Sequence, residues 1–362
     1  MVKAELPRHV RMSEQQQRES RGGHHFPLLQ KYLRVASDDT LTWRPPTGEG
    51  AVYSKDAAAF AAGTYGKVYR VRRQRGGSAP IPVALCLKET AHRADAEEEA
   101  RGVALAMATA SRGFVPALLV VRPQQLPAVL MMQYTMDLRA YVATYRPSPV
   151  AALAILARLA DVAATCWEAG VVVCDIKLAN VVVMIRSAAG TAREGPIDVR
   201  FCDLGGVRRL EDAHMMDTFP PPSQALDAYF GLRRSRREDA VVWQLGALLA
   251  GLLGREASLQ QLDEHTVTSD RVLWALFDAV GIHSNRVLAA AMVADPAVDA
   301  RVAAFFRDRA EAAMQWVLEP PTGADGEEMA HWVVLEAMLC QRGMGVREFA
   351  DSVQRAWEGA SR

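Results

Sequence analysis

A short loop in the middle of the chain carries three polar side chains between two runs of valine. The stretch VVVCDIKLANVVV, residues 171–183, reads as two short buried strands, because continuous β-branched residues are typical of strands in a core. Asp175, Lys177 and Asn180 interrupt this pattern at a spacing that places them in the connecting loop. One polar residue could be a satisfied core group, but a carboxylate, an ammonium and an amide together indicate a chemical site.

A second candidate site lies nearer the N-terminus, in AAGTYGKVYRV. Gly63 and Gly66 flank a predicted turn between two strands, where the missing Cβ atoms let backbone amides approach a phosphate chain. Val68 follows where an apolar side chain could cover a nucleotide base. An ordinary hairpin turn also uses a glycine pair, so this motif alone does not separate the two interpretations.

Lys88 ends an otherwise apolar strand, ALCLKE, and is one of only 6 lysines against 36 arginines in the chain. A buried ammonium needs an anionic partner. The acidic run at 97–99 on the following predicted helix offers one, and the helical register favours Glu99, with Glu98 second. The alternative is a lysine whose ammonium reaches solvent beside a solvated acidic face.

Along the chain, the glycine turn is followed by the strand lysine, the helix glutamate, DIKLAN and then DLG in FCDLGG. This order resembles the eukaryotic-type protein kinase family over roughly residues 50–255. The resemblance implies that Asp175 orients or accepts the proton of the substrate hydroxyl and that Lys177 touches the γ-phosphate. It also implies that Asn180 and Asp203 hold Mg²⁺ and that Lys88 anchors the phosphates of ATP. Two oxygen ligands suit Mg²⁺, a hard cation that takes its other ligands from water and substrate oxygens.

The stretch VLMMQYTMDL resembles the hinge between the two lobes of such kinases. Met132 would then flank the back of the adenine pocket, while Gln133, Tyr134 and Thr135 would offer backbone groups to adenine. Asp137 would meet the ribose. A core strand that runs into a helix cap predicts the same pattern, so both interpretations stay open.

Several positions depart from the family pattern. Val173 and Cys174 replace the histidine and arginine before the catalytic aspartate, so we expect activity that does not need phosphorylation of the activation loop. Ala61 replaces the first glycine of the turn, and Ser223 stands where the family's APE motif has its glutamate. The aspartate of the following buried helix, Asp239, is displaced from its usual register.

The elements around these motifs predict an α+β chain with the bilobal fold of protein kinases. Residues 49–135 read as a small β-rich lobe with one helix, and residues 136–362 as a larger, mainly helical lobe. Apolar spacing in the second lobe predicts a helix over 150–169 that ends at Gly170, and another helix over 240–254. The polar residues 1–48 are expected to form a mobile extension.

Composition argues against several classes of protein. The formal net charge is +0, so the charge balance does not indicate binding to nucleic acid or to an anionic membrane. Five scattered cysteines without a CxxC pair argue against a disulfide framework or a zinc cluster, and favour a reducing, intracellular compartment, cytoplasmic or nuclear. We expect no secretory leader and no membrane span, because the apolar stretches are interrupted by charge or are too short.

The main hypothesis is a Ser/Thr protein kinase that uses ATP and Mg²⁺ to phosphorylate protein substrates, since Lys177 after Asp175 favours Ser/Thr over Tyr. The divergent loop and the Ala/Arg bias look similar to kinases encoded by large DNA viruses, herpesviruses in particular. The alternative is a pseudokinase scaffold that binds nucleotide or partner proteins without efficient phosphotransfer. A small-molecule kinase of similar fold ranks third, because its loop would more often carry His or Pro near Lys177 and Ala179.

Overall fold

The structure is a computed structural model of the chain, and it is of the mixed α+β class that the sequence predicted. It describes residues 33–35, 40–44, 50–63, 66–76, 84–110, 112–120, 126–185, 198–212, 237–254 and 345–361, together with the single positions 326, 329, 330, 333, 334 and 337. These residues divide into two compact units. The first comprises the described residues of 1–136, 182–189 and 200–208, and the second those of 137–181, 190–199 and 209–362.

An eight-stranded antiparallel sheet dominates the first unit. Its strands are β1 (Leu33–Val35), β2 (Leu41–Trp43), β3 (Ala51–Lys55), β4 (Ala61–Gly63), β5 (Gly66–Gly76), β6 (Leu85–Thr90), β7 (Ala117–Val120) and β8 (Ala128–Met132). The strand order is β1-β2-β3-β5-β6-β8-β7, and β4 pairs with β5 off this path. The glycine-containing hairpin and the strand that carries the motif lysine, which the sequence predicted, are β4, β5 and β6.

Strands β6 and β8 form the buried part of this sheet. All five residues of β8, AVLMM, are buried, and so are the first four residues of β6. Continuous apolar runs of this kind are typical of strands that are covered on both faces. A lysine within such a strand is therefore surrounded by apolar groups and needs a partner of opposite charge.

The sheet begins before residue 49, within the segment that the sequence analysis assigned to an extension. Strand β2 pairs with β3, with Leu41 opposite Tyr53 and Trp43 opposite Ala51, and β1 pairs with β2. The side chains of Leu41, Ala51 and Tyr53 are buried. Three residues are too few for a hydrophobic period to identify a strand, so β1 and β2 follow from pairing with β3 and not from a local pattern.

Helix α1 (Arg93–Thr109) belongs to the same unit and packs against β6 and β7. Residues three and four apart on a helix share a face. The buried residues of α1 follow this spacing: Ala96, Glu99, Gly102, Val103 and Ala106. Small side chains on this face allow close approach to neighbouring backbone, and the face carries one carboxylate among them.

Five short strands follow: β9 (Met136–Asp137), β10 (Val171–Val173), β11 (Val181–Met184), β12 (Asp198–Phe201) and β13 (Val207–Arg209). The end of β12 is tied to the segment after α1, because the Phe201 amide donates to the Gly113 carbonyl at 3.0 Å and the Val115 amide donates to the Phe201 carbonyl at 2.9 Å. The rings of Phe114 and Phe201 lie 5.9 Å apart at their centroids. These contacts hold the stretch that leads into the DLG motif.

Helices dominate the second unit. They are α2 (Leu138–Tyr145), α3 (Pro149–Glu168), α4 (Arg237–Leu252) and α5 (Val346–Ala360). Helix α3 begins after Ser148, whose hydroxyl accepts a hydrogen bond from the Ala151 amide, and Pro149 takes the first helical position. It ends before Gly170, which has a φ of 71°. The helices that the sequence predicted over 150–169 and 240–254 are therefore confirmed as α3 and α4.

Helix α3 is the core helix of this unit and packs against α4 and α5. By length and composition it could also cross a membrane, but most of its apolar stretch is buried inside the protein, as in the core helix of a soluble protein. It is therefore weak evidence for a membrane span. At its surface, Arg347 of α5 donates to Glu168 at 2.8 Å and to Asp161 at 2.7 Å.

Candidate functional site

Lys88, Glu99 and Asp203 meet in the first unit, and we call these three residues the lysine cluster. The Lys88 ammonium lies 2.6 Å from Glu99 Oε2 and 2.6 Å from Asp203 Oδ1. Lys88 is 8% exposed and Glu99 3%, whereas the Asp203 side chain is 33% exposed. The ammonium is therefore buried and paired, while one carboxylate of the cluster stays accessible.

The sheet and α1 place the first two groups of the cluster. Lys88 lies on β6 with Val68 of β5 as its register partner, and β8 covers its other side. Glu99 lies on the buried face of α1. The sequence predicted Glu99, with Glu98 second, as the partner of Lys88. In the structure Glu99 pairs with Lys88, whereas Glu98 pairs with Arg208 at 2.6 Å.

Asp203 reaches the cluster from a strained turn. It has a φ of 59° and a ψ of 67°, a left-handed conformation that costs a residue with a side chain on the order of 1 kcal/mol or more. The turn is held by α1, because Glu99 Oε1 accepts a hydrogen bond from the Leu204 amide at 3.2 Å. Gly102 touches the same turn, since a Cβ added there would lie 1.7 Å from the Leu204 carbonyl oxygen. Glu99 thus joins the lysine to the backbone next to Asp203.

The cluster favours the charged form of its lysine but not that of its buried glutamate, because burial and the nearby Asp203 carboxylate raise the pKa of Glu99. Burial lowers the pKa of Lys88, but the carboxylates of Glu99 and Asp203 and their hydrogen bonds outweigh it, so the pKa lies above its usual value. Lys88 is therefore charged at neutral pH. Removing one partner of a buried ion pair leaves an uncompensated charge and typically costs about 3–5 kcal/mol.

The glycine hairpin is formed by β4 and β5, in which Gly63 and Gly66 are register partners. Residues 64 and 65 between them lie outside the described residues. A Cβ on Gly66 would lie 2.4 Å from the carbonyl oxygen of Glu89, so glycine allows β5 to approach β6. Val68 is half-buried opposite Lys88. Gly66 therefore has a packing reason for being glycine, whether or not the hairpin binds a phosphate.

In the second unit, Asp175, Lys177, Asn180 and the residues between them form what we call the polar loop, which connects β10 to β11. The Lys177 ammonium lies 2.6 Å from Asp175 Oδ2. Asn180 Nδ2 donates to the same carboxylate oxygen at 2.7 Å and to the Asp175 carbonyl at 3.0 Å. The three residues that interrupt the valine run are therefore one hydrogen-bonded group.

Burial alternates along the polar loop. Ile176 and Leu178 are buried at 2% and 3% exposure, whereas Asp175 is half-buried and Lys177 is exposed. The two apolar side chains anchor the loop in the core, Asp175 and Lys177 reach the surface, and Asn180 is buried at 7% exposure. This pattern explains why polar residues occur within a valine-rich stretch without breaking it.

Three oxygen atoms of these groups accept no hydrogen bond from the part of the chain that the structure describes: Asp175 Oδ1, Asn180 Oδ1 and Asp203 Oδ2. A carboxylate oxygen of this kind can accept a proton, and carboxylate and amide oxygens are the ligands that Mg²⁺ prefers. Among the described residues there is no group of three or more His, Cys, Asp or Glu side chains that could hold a metal ion. Asn180 Oδ1 and Asp203 Oδ2 each have the chemistry of a Mg²⁺ ligand.

Backbone amides in the segment after β8 donate hydrogen bonds to other parts of the protein. Met132 ends β8, Tyr134 is buried, and the amides of Gln133 and Thr135 donate to other backbone carbonyls at 2.8 and 3.0 Å. Asp137 caps α2, because its carboxylate accepts a hydrogen bond from the first turn of that helix at 2.7 Å. In this conformation the two amides and the Asp137 carboxylate already have protein partners, as a strand followed by a helix cap predicts.

Three residues that contact these groups were not singled out from the sequence. Gly102 touches the turn after Asp203, and Arg208 binds the helix that carries Glu99. Gln244 of α4 accepts a hydrogen bond from the Ile176 amide at 2.8 Å. A glycine in the middle of a helix and a glutamine in the apolar run AVVWQLGALL were the signals that could have identified two of them.

The remaining residues that were named from the sequence lie at the following places in the structure. Ala61 begins β4, Val173 ends β10, and Cys174 is buried. Asp239 lies in the first turn of α4. Ser223 and most of the expected C-terminal helices lie outside the described residues.

No protein-family model matches this chain, and no curated protein matches it. Its function is therefore inferred from its own residues.

Proposed function

We propose that the chain is a Ser/Thr protein kinase with the bilobal kinase fold, which transfers the γ-phosphate of ATP to hydroxyl groups of protein substrates. One observation carries this proposal: a buried lysine held at 2.6 Å from a helix glutamate and at 2.6 Å from the aspartate of a DLG motif. Binding of ATP with Mg²⁺ needs such a set, with an ammonium for the phosphates and a carboxylate for the metal.

Phosphoryl transfer demands little covalent chemistry from the protein, so positioning and charge neutralisation account for most of the catalysis. When bound, Mg²⁺ supplies positive charge that neutralises the phosphate oxygens. In this proposal Asn180 Oδ1 and Asp203 Oδ2 are its protein ligands, and Lys88 binds the phosphates. Glu99 orients Lys88 through the bond that the lysine cluster already contains.

Asp175 is the proposed base for the substrate hydroxyl. Its Oδ2 accepts bonds from Lys177 and Asn180, and this arrangement leaves Oδ1 to accept the proton. Lys177 would contact the γ-phosphate with its exposed ammonium. The lysine cluster is complete in the unmodified chain, which supports activity without phosphorylation of the activation loop. The partners of such an enzyme are intracellular proteins.

The test is transfer from γ-labelled ATP with Mg²⁺ to a generic basic protein and to the chain itself. Asp175→Asn and Lys88→Met should each lower transfer by at least about 10²-fold, because the first removes the base for the substrate hydroxyl and the second removes the group that binds the phosphates. Lys55→Met is the matched control. Lys55 also lies in the sheet and pairs with a carboxylate, Glu89, at 2.7 Å, but it lies outside the lysine cluster. We expect this variant to retain transfer.

ATP binding is measured on the same proteins by calorimetry. If the native chain folds and binds ATP but transfers no phosphate, the pseudokinase scaffold replaces the kinase proposal. If Lys88→Met behaves as Lys55→Met does in both assays, the lysine cluster is not the phosphate site.

A further inference from the structure

Gln244 is a polar residue in the middle of an apolar helix. It lies on α4 with 0% exposure, between Trp243 at 3% and Leu245 at 0%. A buried amide loses its bonds to water, so a glutamine at this position destabilises the core unless its polar atoms find partners. Its Nε2 atom has no hydrogen-bond partner among the described residues. A leucine or a methionine would fill the same space without that cost.

The other amide atom of Gln244 has a specific partner. Its Oε1 accepts a hydrogen bond from the backbone amide of Ile176 at 2.8 Å, and this bond is buried. Ile176 lies directly after Asp175 and directly before Lys177 in the polar loop. The bond therefore fixes the orientation of the peptide unit that joins Asp175 to Ile176.

Helix α4 contacts the polar loop at a second point two turns later. A Cβ added to Gly251 would lie 2.9 Å from Leu178 Cδ1, so the helix backbone lies directly against that buried side chain. One face of α4 thus holds the loop at a polar contact and at an apolar contact. The apolar contact fixes the depth of the loop. The hydrogen bond that Gln244 accepts from the Ile176 amide, together with the bond from Asn180 Nδ2 to the Asp175 carbonyl, fixes the orientation of the peptide unit.

We infer that Gln244 is a positioning residue that orients the Asp175 carboxylate through the Ile176 amide. This inference rests on the proposed function, since it assigns Gln244 a part in the transfer that Asp175 would assist. Gln244 touches neither substrate nor nucleotide in this role. Its effect belongs to the step that uses the base, and not to the binding of ATP by the lysine cluster.

Two measurements test the inference on three variants. Gln244→Met keeps the volume and removes the acceptor, Gln244→Asn shortens the side chain so that its oxygen falls short, and Gln244→Glu keeps an acceptor at the same reach. Hydrogen exchange of the Ile176 amide, followed by NMR, reports the bond directly. Steady-state kinetics reports kcat and the KM for ATP.

In Gln244→Met and Gln244→Asn we expect Ile176 exchange to become about tenfold faster or more. A small misplacement of a catalytic group costs on the order of 10²-fold, so we expect kcat to fall by about 10- to 100-fold while the KM for ATP changes less than about twofold. Gln244→Glu, with its buried carboxyl protonated, keeps a carbonyl acceptor and should restore protection of the amide and most of kcat. Leu245→Met, at the adjacent buried position of α4, is the control for a general disturbance of the core.

Unchanged exchange at Ile176 in both Gln244→Met and Gln244→Asn overturns the inference, and so does a fall in kcat that Leu245→Met matches. If Gln244→Met does not fold, Gln244→Asn provides the same comparison. Should the native chain transfer no phosphate, the proposed function fails while the exchange measurement still decides whether Gln244 holds the loop.

Discussion

Gly102→Ala tests the contact between α1 and the turn after Asp203. Two effects of opposite sign on stability compete in this variant: a gain in helix propensity and a clash with the turn. Replacing glycine by alanine within a helix normally stabilises it by about 1 kcal/mol. Here, however, the new Cβ would lie 1.7 Å from the Leu204 carbonyl oxygen, and ordinary contact begins at 3.4 Å. The helix and the turn must therefore separate by roughly 1.7 Å.

That separation stretches the hydrogen bonds that Glu99 makes to the Leu204 amide and to Lys88, now 3.2 and 2.6 Å long. Hydrogen bonds to charged groups contribute about 1.5–3 kcal/mol each. Losing both exceeds the gain in helix propensity, so we expect Gly102→Ala to lower the free energy of unfolding by about 2–5 kcal/mol. We also expect a higher KM for ATP, because Lys88 loses its orienting partner.

Urea unfolding followed by circular dichroism measures the first effect. Gly359→Ala is the matched control, since Gly359 lies in α5 and its added Cβ would meet nothing closer than 4.0 Å. That variant should be unchanged or stabilised by up to about 1 kcal/mol. If Gly102→Ala is as stable as Gly359→Ala, the close contact between α1 and the turn does not exist in solution.

Three further predictions concern single side chains. Arg208→Met should lower the free energy of unfolding by up to about 1 kcal/mol in urea titrations, less than Gly102→Ala, because its ion pair with Glu98 is partly exposed. The hydrogen bonds and charge of Arg347 lower the pKa of Glu168 below its usual value, so this contact stabilises the protein above the unfolded-state pKa, and the stabilisation is lost as pH falls through the folded-state pKa. Arg347→Met should therefore lower Tm at pH 7 and converge with the native chain in acid. Burial raises the pKa of the Cys86 thiol to about 12, so mass spectrometry should find it unmodified by iodoacetamide at pH 8 in the folded protein and alkylated in urea.

The local sequence was sufficient to identify candidate site residues wherever a polar side chain lies within an apolar stretch. Asp175, Lys177 and Asn180 stand out because valines flank them, and Lys88 stands out because its strand is otherwise apolar. Burying a polar group without a partner is costly, so such residues must have partners in the folded chain. The same reasoning applies to Gln244, a buried polar residue in the apolar run of α4.

The helices and strands with a clear hydrophobic period could also be predicted from the sequence. Helices α3 and α4 have long apolar periods and recognisable ends, and β4, β5 and β6 have turn residues between them. Strands β1 and β2 were missed because three residues carry no usable period, and they form only by pairing with β3. That the Asp137 carboxylate caps α2 follows only from its position at the start of that helix in the folded chain.

The sequence by itself determined which residues need a charged or polar partner and which elements carry them. Only the tertiary structure decided which partner each one has. Neighbouring residues on a helix point about 100° apart, so the packing of α1 alone selects Glu99 over Glu98 for Lys88. Lys88 and Asp203 are 115 positions apart, and no local pattern relates residues at that distance along the chain. Their contact exists because β6, α1 and the turn after β12 pack together.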